Sequence, residues 1–315
     1  MASLVKSQTC GAQMRWAGFI VTIPLLILIF FRPIAALTRL SGSSELYSHV
    51  MVVPLLSAYL IWIRRNQFVC VERLSLGIEA GIGLIAGCGG VICLWLASAQ
   101  FSLVNDDYLF FAMISFVSFM VAAGFYFGGK ENTPVLLFPL CTLFLMVPLP
   151  SVVTHSFTVF LQHGSAEVAY LLIKLTGTPI ARDGLTFMLP GLSVTVAEEC
   201  SGIRSTMVLL ITSLVGGYMF LTQTSHRAAL LFSVLPIAIM RNGLRILTIS
   251  WLTVHVDRES INGPVHKHGG PPFFILSLLP LFGLLLWFRK RENRVRALAG
   301  KVDRGINAPQ TVTIR

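Results

Sequence analysis

The feature of this sequence that most constrains its fold is a series of long apolar runs spread along the chain. FIVTIPLLILIFF near the start and LFGLLLWF near the end are examples. A helix that crosses the hydrocarbon core of a bilayer needs roughly 20 mainly apolar residues. Only 12% of the 315 residues are charged, against about a quarter in a typical soluble domain. The runs cannot share one water-soluble core, so the sequence predicts an all-α polytopic membrane protein.

Eight segments are long and apolar enough to be predicted as spans, although the second and fifth are short. Their approximate cores are 17–37, 49–63, 77–97, 108–128, 134–149, 205–222, 228–253 and 271–288. We expect the first run to be retained as a helix, because no small-residue cleavage site follows it. The sequence thus predicts one transmembrane domain, residues 1–295, and a basic cytoplasmic tail, residues 296–315.

Basic residues in the connecting segments predict the orientation of the spans. Cytoplasmic loops carry an excess of Lys and Arg. With the N-terminus inside, most of the 24 Lys and Arg fall in cytoplasmic segments, namely the N-terminal arm, RRNQFVCVERLSL, GGKEN, TQTSHR and the tail RKRENRVRALAGKVDR. We therefore expect a multi-pass protein of the inner (cytoplasmic) membrane with both termini in the cytoplasm. The net charge of +10 is then a membrane anchor and not a nucleic-acid arm.

The long segment 150–204 faces outward in this topology and contains two predicted elements. Apolar residues at helical spacing predict a helix that lies in the membrane interface or packs on the bundle; they are Phe157, Phe160, Leu161, Gly164, Val168, Leu172 and Leu175. A ninth span is the alternative, but the polar residues of this stretch argue against it. DGLTFMLPGLSVTV then alternates on both sides of a Pro-Gly pair, which predicts a small β-hairpin before the sixth span.

The stretch VAEECSGIRS places unusual polar chemistry just before the sixth span. Of the six cysteines, Cys200 alone falls in an outward segment, and it has no evident disulfide partner there. It lies near the N-terminus of a predicted helix, where unpaired N–H groups and the helix dipole favour the thiolate. The negative charge of Glu199 disfavours a thiolate at Cys200, and the positive charge of Arg204 favours it. The alternative role of Arg204 is to anchor the helix at the membrane surface. A buried inert thiol is the alternative interpretation.

Two arginines interrupt the seventh span in IAIMRNGLRILTI. Arg241 and Arg245 are four residues apart and so share a helix face. Cations inside a span are costly and usually functional. Arg245, nearer the outer end, is the better candidate to stabilise an oxyanion or bind a carboxylate. The alternative is a structural pair with acidic or carbonyl partners.

A third polar group, GPVHKHGGPPFF, precedes the last span. His266 and His268 can carry protons near neutral pH beside a nucleophilic cysteine. Solvated loop histidines and a zinc site are the alternatives, but no third zinc ligand is evident, and we predict neither a metal nor a cofactor. Because the topology brings thiol, base and cation to one side of the membrane, the sequence predicts an acyl-transfer site.

With these blocks in view, the sequence resembles the exosortase/archaeosortase family of membrane transpeptidases over about residues 40–290. Its cysteine block matches VAEECSGIRS, its N-x-x-R block matches Asn242 to Arg245, and its H-x-x-x-G-x-x-x-F block matches His266, Gly270 and Phe274. The segments YSHVMVVPLLSAYLIWIRR and MVPLPSVVTHSFTVFLQHGSAEVAYLL are also similar to the family.

The resemblance implies roles for particular residues. Cys200 would be the nucleophile, Arg245 the cation at the oxyanion and His266 the third member, with His268 as the alternative histidine. Arg241 falls outside the N-x-x-R pattern and would act as support.

The resemblance also implies a substrate class. Such enzymes cut C-terminal sorting signals, typically a Pro-Glu-Pro motif, a transmembrane helix and a basic cluster, from exported proteins. The partners would then be membrane-anchored proteins and a cell-surface acceptor, with no nucleic acid involved.

Two other functions fit part of the sequence. An anion or lipid-linked substrate transporter would use Arg241 and Arg245 to bind its substrate, but it predicts repeats or broken helices, and no clear pair is present. A non-enzymatic partner of polysaccharide-export components is the second alternative.

Overall fold

The computed structural model describes residues 18–43, 45–69, 77–100, 105–189, 192–197, 201–255 and 270–306. These ranges form α-helices, short 3₁₀ turns and one small antiparallel sheet. The helices are α1 Gly18–Ile29, α2 Phe31–Ser43, α3 Val53–Ile63, α4 Ile78–Gln100, α5 Asn105–Gly128, α6 Thr133–Thr142, α7 Ser151–Leu175, α8 Ile203–Phe220, α9 Thr224–Phe232, α10 Val234–His255 and α11 Gly270–Ile306. The strands are β1 Ala181–Asp183, β2 Thr186–Leu189 and β3 Leu192–Thr195. The chain divides into two compact units, residues 1–155 and 156–315.

The helices confirm the prediction of an all-α multi-pass membrane protein. Within the described ranges, five segments are long and apolar enough to cross a membrane alone: Ile78–Leu96, Asp107–Gly128, Ile203–Phe220, Thr224–Val254 and Gly270–Leu298. Two further pairs of helical segments are long enough to cross a membrane only if each pair is one bent span. The pairs are α1 with α2, bent by 77°, and Lys130–Met146 with α7. Each of the eight predicted cores overlaps described helix, although residues 49–52 and 147–149 of two cores are not helical. By length and composition, the described residues hold five to seven candidate spans, and α3, with 11 residues, is an apolar helix too short to be counted among them.

Small residues line the contact between α4 and α5 in the first unit. Ala80, Gly83 and Gly87 are buried along one face of α4. A Cβ added at Gly83 would lie 3.0 Å from the Ala122 Cβ and 3.1 Å from the Ser118 carbonyl oxygen, so the two helices nearly touch. Large apolar residues of α4 point outward instead, as Ile85 does with 76% exposure. This arrangement is typical of helices in lipid, where small residues allow close backbone approach.

The second unit contains a core built by α8 to α11. Its buried side chains are Leu209, Leu221, Leu230, Val234, Leu281, Leu285 and Phe288. At one end of this core the carboxylate of Glu292, only 4% exposed, accepts hydrogen bonds from the Thr222 and Gln223 backbone N–H groups, the Thr222 hydroxyl and the His226 ring. A buried carboxylate is tolerated only with such partners. Glu292 therefore fixes the α8–α9 turn to α11.

Helix α7 buries only part of the apolar stripe that the sequence predicts as its packing face. Of that stripe, Leu161 is buried, but Phe160 and Leu175 are exposed. The buried positions are small, polar or aliphatic: Thr158, Leu161, Gln162, Ser165, Ala166, Ala169 and Ile173. In a membrane protein, bulky apolar residues can face lipid at no cost, so the inner face is free to hold small and polar residues. The prediction that α7 packs on other helices holds, because Gly164 and Val168 contact Ile239 and Gly243 of α10.

The predicted hairpin is confirmed, with Phe187 opposite Val194 and Leu189 opposite Leu192. The sheet also has a third strand, β1, which pairs with β2 through the two-residue turn at Gly184 and Leu185. Gly184 has φ 57, and glycine at the first central position is what a two-residue type II′ hairpin turn needs. Phe187 is completely buried with Ala166, Ala169, Val196 and Ile246. The hairpin is therefore fixed to α7 and α10.

We predict that Gly83→Val lowers the thermal stability of the detergent-solubilised protein. The new side chain meets backbone atoms of α5 that cannot rotate away, and overpacking of this kind costs about 1–3 kcal/mol. Gly81→Val is the matched control, since a Cβ there meets nothing within 4 Å. Equal unfolding midpoints for the two variants, measured by circular dichroism, would contradict the described α4–α5 contact.

Candidate active site

The start of α8 is shaped by a glycine in a left-handed conformation. Gly202, the N-cap residue, has φ 74 and ψ 17, a region that residues with a Cβ enter at a cost. Its carbonyl oxygen accepts hydrogen bonds from the Ser205 hydroxyl, at 3.1 Å, and from the Thr206 hydroxyl, at 2.8 Å. Ser201, just before it, is buried. The helix therefore begins at a fixed turn directly after the residue that follows Cys200 in the sequence.

Arg241 of α10 holds this turn from the side. Its guanidinium Nη2 donates to the Gly202 carbonyl at 3.3 Å, and the residue is only 5% exposed. A Cβ on Gly202 would overlap that guanidinium and would lie 3.3 Å from the Asn242 Oδ1. Glycine is thus required at this position both by its conformation and by the close approach of α10.

Asn242 extends the contact to α7. Its Nδ2 donates to the Ser165 hydroxyl at 3.0 Å, and both residues are almost completely buried. Burying polar groups in an apolar environment is costly unless they bond each other. The Asn242–Ser165 bond therefore sets the register of α10 against α7, and so places Arg241 at the start of α8.

The chain before Cys200 is held by α7 as well. The Val196 N–H donates to the Leu185 carbonyl at 3.0 Å, next to the last pair of the hairpin. The Val196 carbonyl accepts a hydrogen bond from Nε2 of Gln162, at 2.5 Å. Val196 and Gln162 are both buried. The structure thus fixes the chain four residues before Cys200 and two residues after it.

Several positive charges lie among the described residues of this corner. The N-terminus of α8 carries the positive end of the helix dipole, and Arg241 lies beside it. Arg245 follows one turn later on α10 and is half-buried, while Arg204 lies in the first turn of α8 and is exposed. A cation near a helix N-terminus is unfavourable, because the helix dipole is positive there. The arginines beside the start of α8 are therefore better explained by a site that stabilises negative charge.

Four predicted site residues fall outside the described ranges, namely Glu199, Cys200, His266 and His268. Their arrangement stays a prediction. What the structure does bring together is Gly202 of the cysteine block with Arg241 and Asn242, which begin the RNGLR sequence. These two blocks lie 39 residues apart in the chain.

A protein-family model matches most of this chain. The model of the transmembrane exosortase family (Exosortase_EpsH) matches residues 38–283, well over half of the chain. The chain belongs to the transmembrane exosortase family. No curated protein and no solved structure matches it. The matched range of this exosortase includes the hairpin, the start of α8 and all of α10, so the contacts described above fall within the family region.

Sequence reasoning missed two residues that shape the site of this exosortase. From the sequence, Gln162 counts only among the polar residues that argue against a span, and Ser165 is not singled out. Both are buried, Gln162 bonds the Val196 carbonyl before Cys200, and Ser165 bonds Asn242 of α10. Their spacing of three residues places them on one helix face. A polar pair at helical spacing within a largely apolar helix was the signal that could have found them.

We predict that Gly202→Ala destabilises the protein more than Gly184→Ala does. Both positions have positive φ, but a Cβ at Gly184 meets nothing within 4 Å, whereas at Gly202 it overlaps the Arg241 guanidinium. Gly184→Ala should therefore show only the backbone cost, roughly 1–2 kcal/mol. Thermal unfolding in detergent measures the difference.

A double-mutant cycle isolates the contact with Arg241. In an Arg241→Ala background, the excess cost of Gly202→Ala over Gly184→Ala should shrink, since the overlapping guanidinium is gone and only Asn242 remains close. An undiminished effect of Gly202→Ala in that background would contradict the described packing.

Proposed function

We propose that this exosortase is a membrane-embedded cysteine protease and transpeptidase that cleaves C-terminal sorting signals of exported proteins. The observation that carries the proposal is the contact between the start of α8, which follows Cys200, and Arg241 of α10. It joins the cysteine block to the helix that carries the N-x-x-R block, and it places the Arg241 cation beside the N-terminus of α8. Those are the features that a thiolate nucleophile and an oxyanion need.

In the proposed reaction, the Cys200 thiolate attacks the carbonyl carbon of the scissile peptide bond. Negative charge develops on the carbonyl oxygen and is stabilised by the Arg245 guanidinium. His266, or His268 in its place, gives a proton to the leaving nitrogen, and the C–N bond breaks. The products are a thioester on Cys200 and a released signal helix with a free amino group.

A second nucleophile then completes the proposed cycle. An amine or another cell-surface acceptor attacks the thioester carbon, the histidine removes its proton, and the Cys200 thiolate is regenerated. A signal helix anchored in the bilayer would present its short motif at the membrane surface. We place that surface on the outer side of the inner membrane, following the charge distribution of the loops.

We predict that Cys200→Ala and Cys200→Ser abolish processing of a co-expressed substrate that ends in a Pro-Glu-Pro motif, an apolar helix and a basic cluster. Without the thiolate no thioester forms. Mass spectrometry of the substrate's new C-terminus gives the cut site and any transferred group. Cys88→Ala is the control, because Cys88 is an exposed free cysteine on α4. Normal processing by both Cys200 variants would refute the proposal, and transport of a solute by them would favour the transporter alternative.

We predict that Arg245→Ala lowers kcat by about 10²–10³-fold, as expected for loss of one group that stabilises an oxyanion. Arg245→Lys should retain part of the rate, because it keeps the charge but not the planar geometry of the guanidinium. Met240→Ala serves as the control, since Met240 is an exposed residue of the same helix. An Arg245→Ala enzyme with an unchanged kcat and a raised KM would show that the arginine binds substrate only.

A further inference from the structure

Both ends of the short segment that contains Cys200 are fixed by buried side chains. Gln162 donates to the Val196 carbonyl, and Arg241 donates to the Gly202 carbonyl. Five residues separate Val196 from Gly202, and Cys200 is one of them. The two donors come from different helices, α7 and α10.

Helix α7 contributes to both attachments. Gln162 contacts the chain before Cys200 directly, and Ser165, one turn later, bonds Asn242 beside Arg241. All of these residues are buried. Ala166 and Ala169 on the same face pack against Phe187 and Val196. The polar face of α7 therefore serves as the common support for the hairpin end and for α10.

If position 162 served only for packing, an apolar side chain such as leucine would suffice. The buried amide group of Gln162 therefore needs another explanation. A buried amide is costly to desolvate and is retained where its hydrogen bond is needed. The bond of Gln162 goes to the first carbonyl beyond β3, where the ladder of the hairpin ends. The Gln162 hydrogen bond thus holds Val196, the first residue after β3 in the direction of Cys200.

We propose that Gln162 is a positioning residue of the transpeptidase reaction, acting through the Val196 carbonyl on the segment that carries Cys200. Arg241 performs the same task at the far end of the segment. The inference rests on the proposed function, in which Cys200 is the nucleophile. It adds a residue that the catalytic blocks of the sequence do not include.

The expected effect is on kcat rather than on KM. A nucleophile displaced by about 1 Å can lose roughly 10²-fold in rate, because the reacting atoms no longer meet at the right distance and angle. Substrate binding through a transmembrane helix does not require Gln162. Loss of this hydrogen bond should therefore reduce kcat by about 10- to 100-fold with KM nearly unchanged.

Two substitutions test the hydrogen bond itself. Gln162→Met keeps the length of the side chain and cannot donate at any pH. Gln162→Glu is nearly isosteric and donates to the Val196 carbonyl only when its carboxyl is protonated, a form whose share grows as the pH falls. The kcat of Gln162→Glu relative to wild type should rise as the pH is lowered, whereas the ratio for Gln162→Met should stay low and flat.

The charged groups near Gln162 do not produce the expected difference in pH dependence between the two variants. On the elements that pack against α7 they are Arg182, Asp183, Arg241 and Arg245, and on α7 itself they are His155, His163, Glu167 and Lys174. Glu198 and Glu199 follow Val196 in the sequence. All are present in wild type and in both variants, so their titration cancels in the ratio. His163→Glu is the matched control, because it places a carboxyl at the neighbouring, exposed position.

A second readout is independent of substrate cleavage. The rate at which iodoacetamide alkylates Cys200, followed by mass spectrometry of its peptide, should change at least threefold in Gln162→Met and not in His163→Glu. A kcat and an alkylation rate within twofold of wild type in Gln162→Met would overturn the inference. So would a pH-independent ratio for Gln162→Glu. If Cys200→Ala still cleaves substrate, the proposed function fails, and the alkylation rates then show by themselves whether Gln162 positions the segment.

Discussion

A polar group buried inside a membrane protein must find its hydrogen-bond partner within the protein, and in the second unit these partners converge on the chain around Cys200. Gln162, Ser165, Arg241 and Asn242 are buried, and their bonds reach Val196 and Gly202 or one another. Water cannot replace any of these bonds in an apolar surrounding, so each of them constrains geometry more than it would at a soluble surface. The turn at Gly202 depends on them.

The same constraint explains which faces of the helices are buried. Lipid solvates bulky apolar side chains as well as the protein interior does, so hydrophobicity alone does not select the buried face. On α4 the buried stripe consists of alanine and glycine, and on α7 it is largely small or polar. The exposed faces carry residues such as Ile85 and Phe160. Close helix contact and satisfied polar groups decide the packing.

Membership of the transmembrane exosortase family gives this geometry a chemical context. The cysteine block and the arginine helix are distant in sequence, and the Gly202–Arg241 contact brings their described parts together. Arg241, which falls outside the N-x-x-R pattern, bonds Gly202 of the cysteine block. Arg245 lies one turn further along the same face, where it remains the proposed partner of the oxyanion. Arg241 thus supports the turn, and Arg245 is the residue proposed for the chemistry.

The sequence by itself determined the membrane class, the approximate position of every helix and the β2–β3 hairpin, because length, apolarity and alternation are local properties of the chain. It also singled out Arg241, Arg245 and Gly202 as parts of unusual blocks. Only the tertiary structure decided that α7 turns its glutamine and serine inward, that β1 joins the hairpin and that Arg241 bonds the Gly202 carbonyl. Those outcomes depend on which helix faces meet. In a lipid environment the pattern of apolar residues does not encode that choice, since it is set by close backbone approach and by hydrogen bonds between residues far apart in the chain.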